Sequence, residues 1–413
     1  YFYKKDHTHT SAKGAVLSAS VIINQLKESK NSLKNYISKP IKNEIARNTG
    51  ITPPTVTNIC ASLAQKDLIY EDRQERSALG RPSMLLKFKA ETETLLVIHV
   101  RTHAILWYVV TADGEILKQR KKSIIGLSTE EVSKLIMTGT ESILLSPSYN
   151  KAPYRIQAIG LILRGPVDSS KGISIYSPHA KWTNVPFKYI LEERFQLPVY
   201  VENDVRCLST GEYYYGRGKN IDNLLVLKFS YGLGASLIYE GSLYRGFNDS
   251  AGEIGYTIIN FNDDGSYTHL EDVASETAIR EYVLAKIAEG RETSVKDNKE
   301  ILDDAFRVEP IYEAAVQGDE LCLEALNRVG KYLGGALANL CNLMNPERVI
   351  LSSAMGNAVS IMDPILRDVI ERNLHKVHPV DLAYSGNGAY YTLLGMVDII
   401  CCNRAGSIWI NGK

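Results

Sequence analysis

The chain has 413 residues, 47 basic against 47 acidic, 45% hydrophobic residues and six cysteines. This is the composition of an ordinary globular protein of two or three domains, which excludes a disordered chain, a collagen-like repeat and a disulfide-stapled scaffold; no apolar run is long enough to span a bilayer. The neutral total is unevenly divided: residues 1–90 carry 15 Lys+Arg against 7 Asp+Glu and the remainder 32 against 40, so a basic N-terminal module precedes an acidic body, as suits a polyanion reader joined to something else.

Residues 1–15 are expected to be a flexible N-terminus. Ile41–Glu71 then reads as a helix-turn-helix. Ile41, Ile45 and Ala46 recur at one-turn spacing, and Gly50 ends that helix. Thr52 suits an N-cap and Pro53 the first helical position, where no N–H is needed. Val56, Ile59, Cys60 and Leu63 line one face of a second helix and leave Thr55, Thr57 and Asn58 facing outward near its N-terminus. Short polar side chains there can reach base edges or phosphates. Leu68–Tyr70 and Met84–Phe88 read as a strand pair around a polar wing. Gly80-Arg81-Pro82 suits a minor-groove arm, since a narrow A·T-rich groove attracts Arg. The expected DNA contacts are Thr52, Thr55, Thr57, Asn58 and Arg81. The alternative is a plain helical hairpin with a solvated Arg.

From Leu95 the pattern becomes alternating strands and helices, an α/β body whose ligands lie at strand C-terminal ends. Strands are expected at Leu95–Val100, Leu106–Thr111, Glu115–Gln119, Ile156–Leu163, Val199–Glu202, Leu224–Phe229, Ala235–Tyr239 and Val349–Ser352. Helices are expected at Thr129–Leu145, Phe187–Phe195, Ala274–Glu289, Ile311–Gln317 and Leu321–Asn345. The cysteines form no C-x-x-C, and adjacent Cys401-Cys402 suit joint metal binding poorly, so they read as reduced, buried thiols of a cytoplasmic protein.

Several pieces in order carry a resemblance: the helix-turn-helix with Gly-Arg-Pro, Gly160–Asp168 (GLILRGPVD), Val201–Glu212 (VENDVRCLSTGE), Tyr231–Ala235, Ala251–Tyr256 (AGEIGY), Leu270–Ser275 (LEDVAS) and Asn339–Pro346. The chain resembles the ROK family of repressors and sugar kinases, in its transcriptional-repressor branch, from about Ser20 onward. That resemblance implies a winged helix-turn-helix followed by a two-lobed, actin-like body of the sugar kinase type, with a sugar between the lobes. The expected boundaries are 16–89 for the DNA-binding domain, 90–204 plus 390–413 for the smaller lobe, and 205–389 for the larger, dimerising lobe.

By the same resemblance Asn203 and Asp204 are the sugar-gripping pair, and Glu253 and Glu271 two further hydroxyl-binding carboxylates. Carboxylates can each accept two hydroxyls; the plainer reading is that Asn203-Asp204 caps a helix and Glu253 is a surface charge. Tyr256 stands where the family has a His that touches sugar and zinc, and the following loop, IINFNDDGSYTH, has no Cys. No zinc, other metal or cofactor is therefore expected. The family's Asp-Gly-Gly-Thr phosphate loop is replaced by His99-Val100-Arg101-Thr102-His103, and its later Gly pair by Ser352-Ser353. Without those glycines the backbone cannot cradle phosphates closely, so no catalytic residue is expected. The expectation is a sugar-responsive repressor: a homodimer or higher homo-oligomer binding an inverted-repeat operator and a monosaccharide or derivative, with no membrane partner. A sugar kinase and a ligand-independent DNA-binding dimer are the alternatives.

Overall fold

The computed structural model describes residues 52–65, 69–73, 84–88, 93–150, 154–177, 181–303, 306–375 and 379–410. The expected first helix of the helix-turn-helix, the N-terminal stretch and Arg81 lie outside them.

Helix α1 (Pro53–Gln65) starts where Thr52 and Pro53 place it. The Thr52 hydroxyl oxygen accepts from the Thr55 N–H at 3.4 Å and lies 2.8 Å from the Thr55 hydroxyl. Val56 and Cys60 are buried, Thr52, Thr57 and Asn58 are exposed, and Thr55 is half-buried. Strands β1 (Ile69–Arg73) and β2 (Met84–Phe88) pair antiparallel, Ile69 opposite Phe88. β1 runs three residues past the expected Tyr70. The polar Glu71–Arg73 stretch is strand because it has Met84–Leu86 as a ladder partner, a long-range cause invisible to local composition.

β3 (Thr94–Val100), β4 (Ala104–Thr111) and β5 (Ile116–Ser123) form a meander. Its Ala112-Asp113-Gly114 turn needs a left-handed residue, supplied by Gly114 at φ +91°. α2 (Thr129–Leu144) opens on a capping box between Ser128 and Glu131. After β6 (Ile156–Leu163) come β7 (Val167–Asp168), β8 (Ile173–Ser177) and β9 (Trp182–Val185), a small separate sheet. α3 (Phe187–Phe195), β10 (Val199–Asn203) and α4 (Asp204–Tyr215) follow. The second half contains the strands β11 (Leu224–Phe229), β12 (Leu233–Tyr239) and β13 (Ser242–Tyr244) and the hairpin β14 (Ile258–Phe261) and β15 (Tyr267–His269). It continues through α5 (Glu276–Ala288), α6 (Glu309–Val316), α7 (Glu320–Met344), β16 (Arg348–Ser352), α8 (Val359–Asn373), β17 (Asp381–Tyr384) and α9 (Gly388–Ile410).

Two five-stranded sheets carry the body, ordered β10-β6-β3-β4-β5 and β13-β12-β11-β16-β17. Their topology is the same. Each begins with a central strand, runs an antiparallel meander to one side and adds two parallel strands on the other. The parallel crossovers put helices over the faces, so strands such as β3 are buried along their whole length.

α4 packs along α9. A Cβ on Gly395 would collide with the backbone carbonyl of Cys207, and one on Gly211 with that of Tyr391. The two helices therefore meet backbone to backbone. Val56 and Cys60 of α1 share a buried apolar cluster with Leu95 and Val97 of β3 and with Met396, Val397, Ile400 and Cys401 of α9. Gly395→Ala is expected to lower stability by about 1–3 kcal/mol, the usual loss from overpacking, because no flexible side chain can yield. Urea unfolding at constant slope should show a lower midpoint; an unchanged midpoint refutes the tight contact.

Candidate functional site

Strands β3, β6 and β10 run parallel in one sheet, so their C-terminal ends open on one edge. That edge carries Arg101 after β3, Arg164 after β6, and Asn203 and Asp204 at the end of β10, the usual place for a ligand in an α/β sheet. The second sheet faces it with Lys228 on β11 and the Ser230–Leu233 turn. Together they frame two adjoining recesses that share Arg164, Asp204, Lys228 and Ser230.

The first recess brings together Asn203, Asp204, Glu253, Tyr256 and Glu271, the five residues expected to hold sugar. Asn203 also caps α4: its side-chain oxygen accepts from Val205 N–H at 2.8 Å and Arg206 N–H at 3.1 Å, and its amide donates to the Gly165 carbonyl at 2.9 Å. The helix-cap reading of Asn203 thus holds alongside its place in the wall. Asp204 is 3% exposed and its Oδ2 lies 2.5 Å from Lys228 Nζ. Burial pushes its carboxyl up, but Lys228 and Arg164 outweigh burial and hold it below its ordinary value. Glu271 accepts from the Leu233 N–H at 2.7 Å. It can approach because Gly232 has no Cβ, which would collide with it. Burial raises the Glu253 carboxyl, Asp204 and Glu271 adding to the shift against Arg206. Tyr256 stands exposed at the mouth, its ring edge-on to His269 at 6.1 Å. Among the described residues no group of three His, Cys, Asp or Glu side chains lies close enough to hold a metal ion.

Beneath the recess lies a buried ionic hub that the sequence reading did not single out. Glu202 is 0% exposed. It accepts from Arg206 Nε at 2.6 Å, Arg245 Nη2 at 2.8 Å, the Ser169 hydroxyl at 2.8 Å and the Asn203 N–H at 2.8 Å. Arg206 reaches on to the carbonyls of Val167 and Asp249, and Asp249 ties the Ser169 N–H at 3.0 Å. The hub fixes the end of β10 to the loop that carries Glu253. Its signal in the sequence was the charged pair at i, i+4 in VENDVR. The comparable signal for Lys228 was one cation inside the apolar strand LLVLKF.

The second recess, about 570 Å³, is lined by the Arg101–His103 turn, Lys228, Glu276, Ser352 and the start of α9 at Gly388. Burial pushes the Glu276 carboxyl up to about 8, with Glu309 adding to the shift. A carboxyl raised on folding holds its proton more tightly folded than unfolded. Stability is therefore greatest below the unfolded value of about 4.5 and falls as pH rises through about 8. Glu276→Gln is expected to flatten that fall, read as denaturation midpoints across this window; an unchanged slope refutes the assignment.

Of the residues expected to contact DNA, Thr52 and Thr55 form the helix cap and Thr57 donates to the Pro53 carbonyl at 3.0 Å. Asn58 is exposed.

Residues 96–400 match the profile of the ROK family. The chain belongs to the ROK family. The xylose repressor of Caldicellulosiruptor bescii is 30% identical over 364 residues, 85% of this chain and 88% of that one. The DNA-binding transcriptional dual regulator NagC of Escherichia coli is 25% identical over 343 residues, 82% of each chain. A ROK family transcriptional regulator described as a homologue of the E. coli MLC protein superposes with a TM-score of 0.80 at 24% identity, over 98% of this chain and 100% of its own. A ROK family glucokinase from Streptomyces griseus in complex with glucose and AMPPNP gives 0.61 at 23% identity, over 74% of this chain and 98% of its own. The fold is thus the expected one, an actin-type body of the sugar-kinase kind shared with a ROK regulator. No described helix is long and apolar enough to cross a membrane.

Proposed function

We propose that this chain is a cytoplasmic, sugar-responsive, DNA-binding transcriptional regulator, a repressor of carbohydrate-utilisation genes. The observation that carries this is the convergence of Asp204, Glu253 and Glu271 on one recess in a chain similar over more than four-fifths of its length to repressors. Residues 16–89 form the DNA-binding module and use Thr52, Thr55, Thr57, Asn58 and Arg81. The remainder forms two lobes, 90–204 with 390–413 and 205–389, and dimerises so that two modules meet an inverted repeat. Sugar shifts the population between lobe arrangements, which it can do only by binding one better than the other.

A non-enzymatic body is favoured over a kinase by the Arg101–His103 turn. It puts Arg and Thr where a nucleotide's phosphates need a glycine backbone. Asp204, which a kinase would use as a base, is already paired with Lys228.

The test is a gel shift on an inverted-repeat operator with a panel of sugars that includes xylose and N-acetylglucosamine, beside an assay for ATP turnover. The expected result is altered DNA retention with one sugar and no turnover. Sugar-dependent ATP consumption would overturn the reading, as would retention that no sugar changes.

A further inference from the structure

Strand β5 is the edge of the first sheet and pairs with β4 alone. Its sequence, ILKQRKKS, puts Lys118, Arg120, Lys121 and Lys122 within five positions. The three lysines are exposed and Arg120 is half-buried. None of the four makes an ion pair among the described residues, and Glu141, the acid beside Ser142 on α2, is taken by Arg194. Two of them are propped in place. Lys118 Nζ stands over the Tyr149 ring at 5.7 Å, and Arg120 lies over Trp107 at 5.8 Å and donates to the Ser142 hydroxyl at 2.6 Å. A cation held in this way loses less freedom when it meets an anion. A lysine or two on an edge strand is enough to turn away a pairing strand. Four cations in five positions, on a body of 32 basic against 40 acidic residues, go beyond that need.

The basic run begins at the end of the sheet where the N-terminal module joins. Leu95, Val110 and Ile116 form one rung across β3, β4 and β5. Leu95 and Val110 share a buried cluster with Val56 and Cys60 of α1. β5 lies two strands from β3, about 10 Å at the usual spacing, and Lys118 to Lys122 covers about 13 Å along the strand. We propose that this edge is a second DNA contact, which takes the phosphate backbone of the duplex held by the N-terminal module. This rests on the DNA-binding reading above and extends it to the body. Charge favours a nucleic-acid backbone over a protein strand, since the same edge of a second copy would set lysine against lysine. A lysine ammonium meets phosphate as a point charge and needs no fixed approach. A strand edge also shows both its faces to a backbone lying along it, Lys118, Arg120 and Lys122 from one and Lys121 from the other. Such contacts add affinity and orientation without reading sequence.

The experiment is fluorescence anisotropy of the full chain on a mixed-sequence duplex of about 40 base pairs, titrated across a range of salt, since a backbone contact reads no sequence. The triple variant Lys118→Gln, Lys121→Gln, Lys122→Gln should bind about ten- to a hundredfold more weakly, and its plot of log affinity against log salt should be shallower by about 2–3, near 0.9 for each phosphate lost. A control with Lys219→Gln, Lys299→Gln and Lys331→Gln, all exposed in the second half of the chain, removes the same charge and should keep the wild-type slope. Lys122→Glu alone should lose about one phosphate's worth of slope and serves if the triple variant folds poorly. An unchanged slope in the β5 variants overturns the second contact and leaves the N-terminal module as the DNA reader. Equal losses in the β5 variant and the control overturn it too, because overall charge is then the cause. So does a loss confined to anionic phospholipid vesicles, with duplex binding unchanged. Wild-type protein that binds no duplex defeats the DNA-binding reading along with it.

Discussion

Glu202→Gln is expected to lower the unfolding free energy by about 3–5 kcal/mol, the cost of breaking a buried ion pair from one side. Glu202 is 0% exposed and Arg206 3% exposed, so neither charge can turn to water when the other goes. The amide keeps the shape of the carboxylate but removes its charge. It also places an N–H where four donors now converge: Arg206, Arg245, Ser169 and the Asn203 backbone. Chemical denaturation and a thermal scan should both register the loss. The β10 end and the Glu253 loop are tied through this hub, so effector binding should fall with stability. Arg245 is 37% exposed on its side chain. Arg245→Ala should therefore lose less than Glu202→Gln; equal losses from the two would contradict the hub described here.

Asp204→Asn is expected to weaken effector binding ten- to about a hundredfold, since removing a charged hydrogen-bond partner loses roughly 1.5–3 kcal/mol. DNA affinity in the absence of effector should change little, because Asp204 belongs to the body and the proposed DNA contacts to the N-terminal module. The ion pair adds a second effect. Lys228, at 2.5 Å from Asp204 and 18% exposed, loses its counter-ion, so stability should also fall. The double variant Asp204→Asn with Lys228→Met should recover much of that stability without recovering binding. Calorimetry and gel shifts separate the two effects. Normal effector binding by Asp204→Asn would remove this carboxylate from the site.

The sequence was most legible where one face of an element is buried. Ile156–Leu163, Phe187–Phe195 and Leu224–Phe229 have the expected bounds, since a continuous apolar run or a half-buried helix writes its own period. The last third was less legible. Helix α9, GAYYTLLGMVDIICCNRAGSIWI, is apolar on nearly all sides and so has no helical period to read. α4 was hidden because it meets α9 on Gly211 and buries polar residues such as Arg206, Ser209 and Glu212, which breaks the apolar period. The five recess residues were found by resemblance and the structure brings them together. Lys228, Arg164 and Arg245 were missed because their meaning comes from partners 24, 62 and 43 residues away.

The backbone contact between α4 and α9 has a mechanical side. α9 is 23 residues long, about 35 Å at 1.5 Å per residue. Its first turn borders the second recess, and its middle shares a buried cluster with helix α1, the proposed recognition helix. Between these points Gly211 and Gly395 leave no rotamers to act as a spring. A helix clamped this way has low compliance: a tilt of about 5° at the recess would appear as a shift of about 3 Å at the far end instead of being absorbed. Spin labels at Asn403 and Glu289 should report a distance change of that order when effector binds, and an unchanged distance would mean that α9 transmits no such tilt.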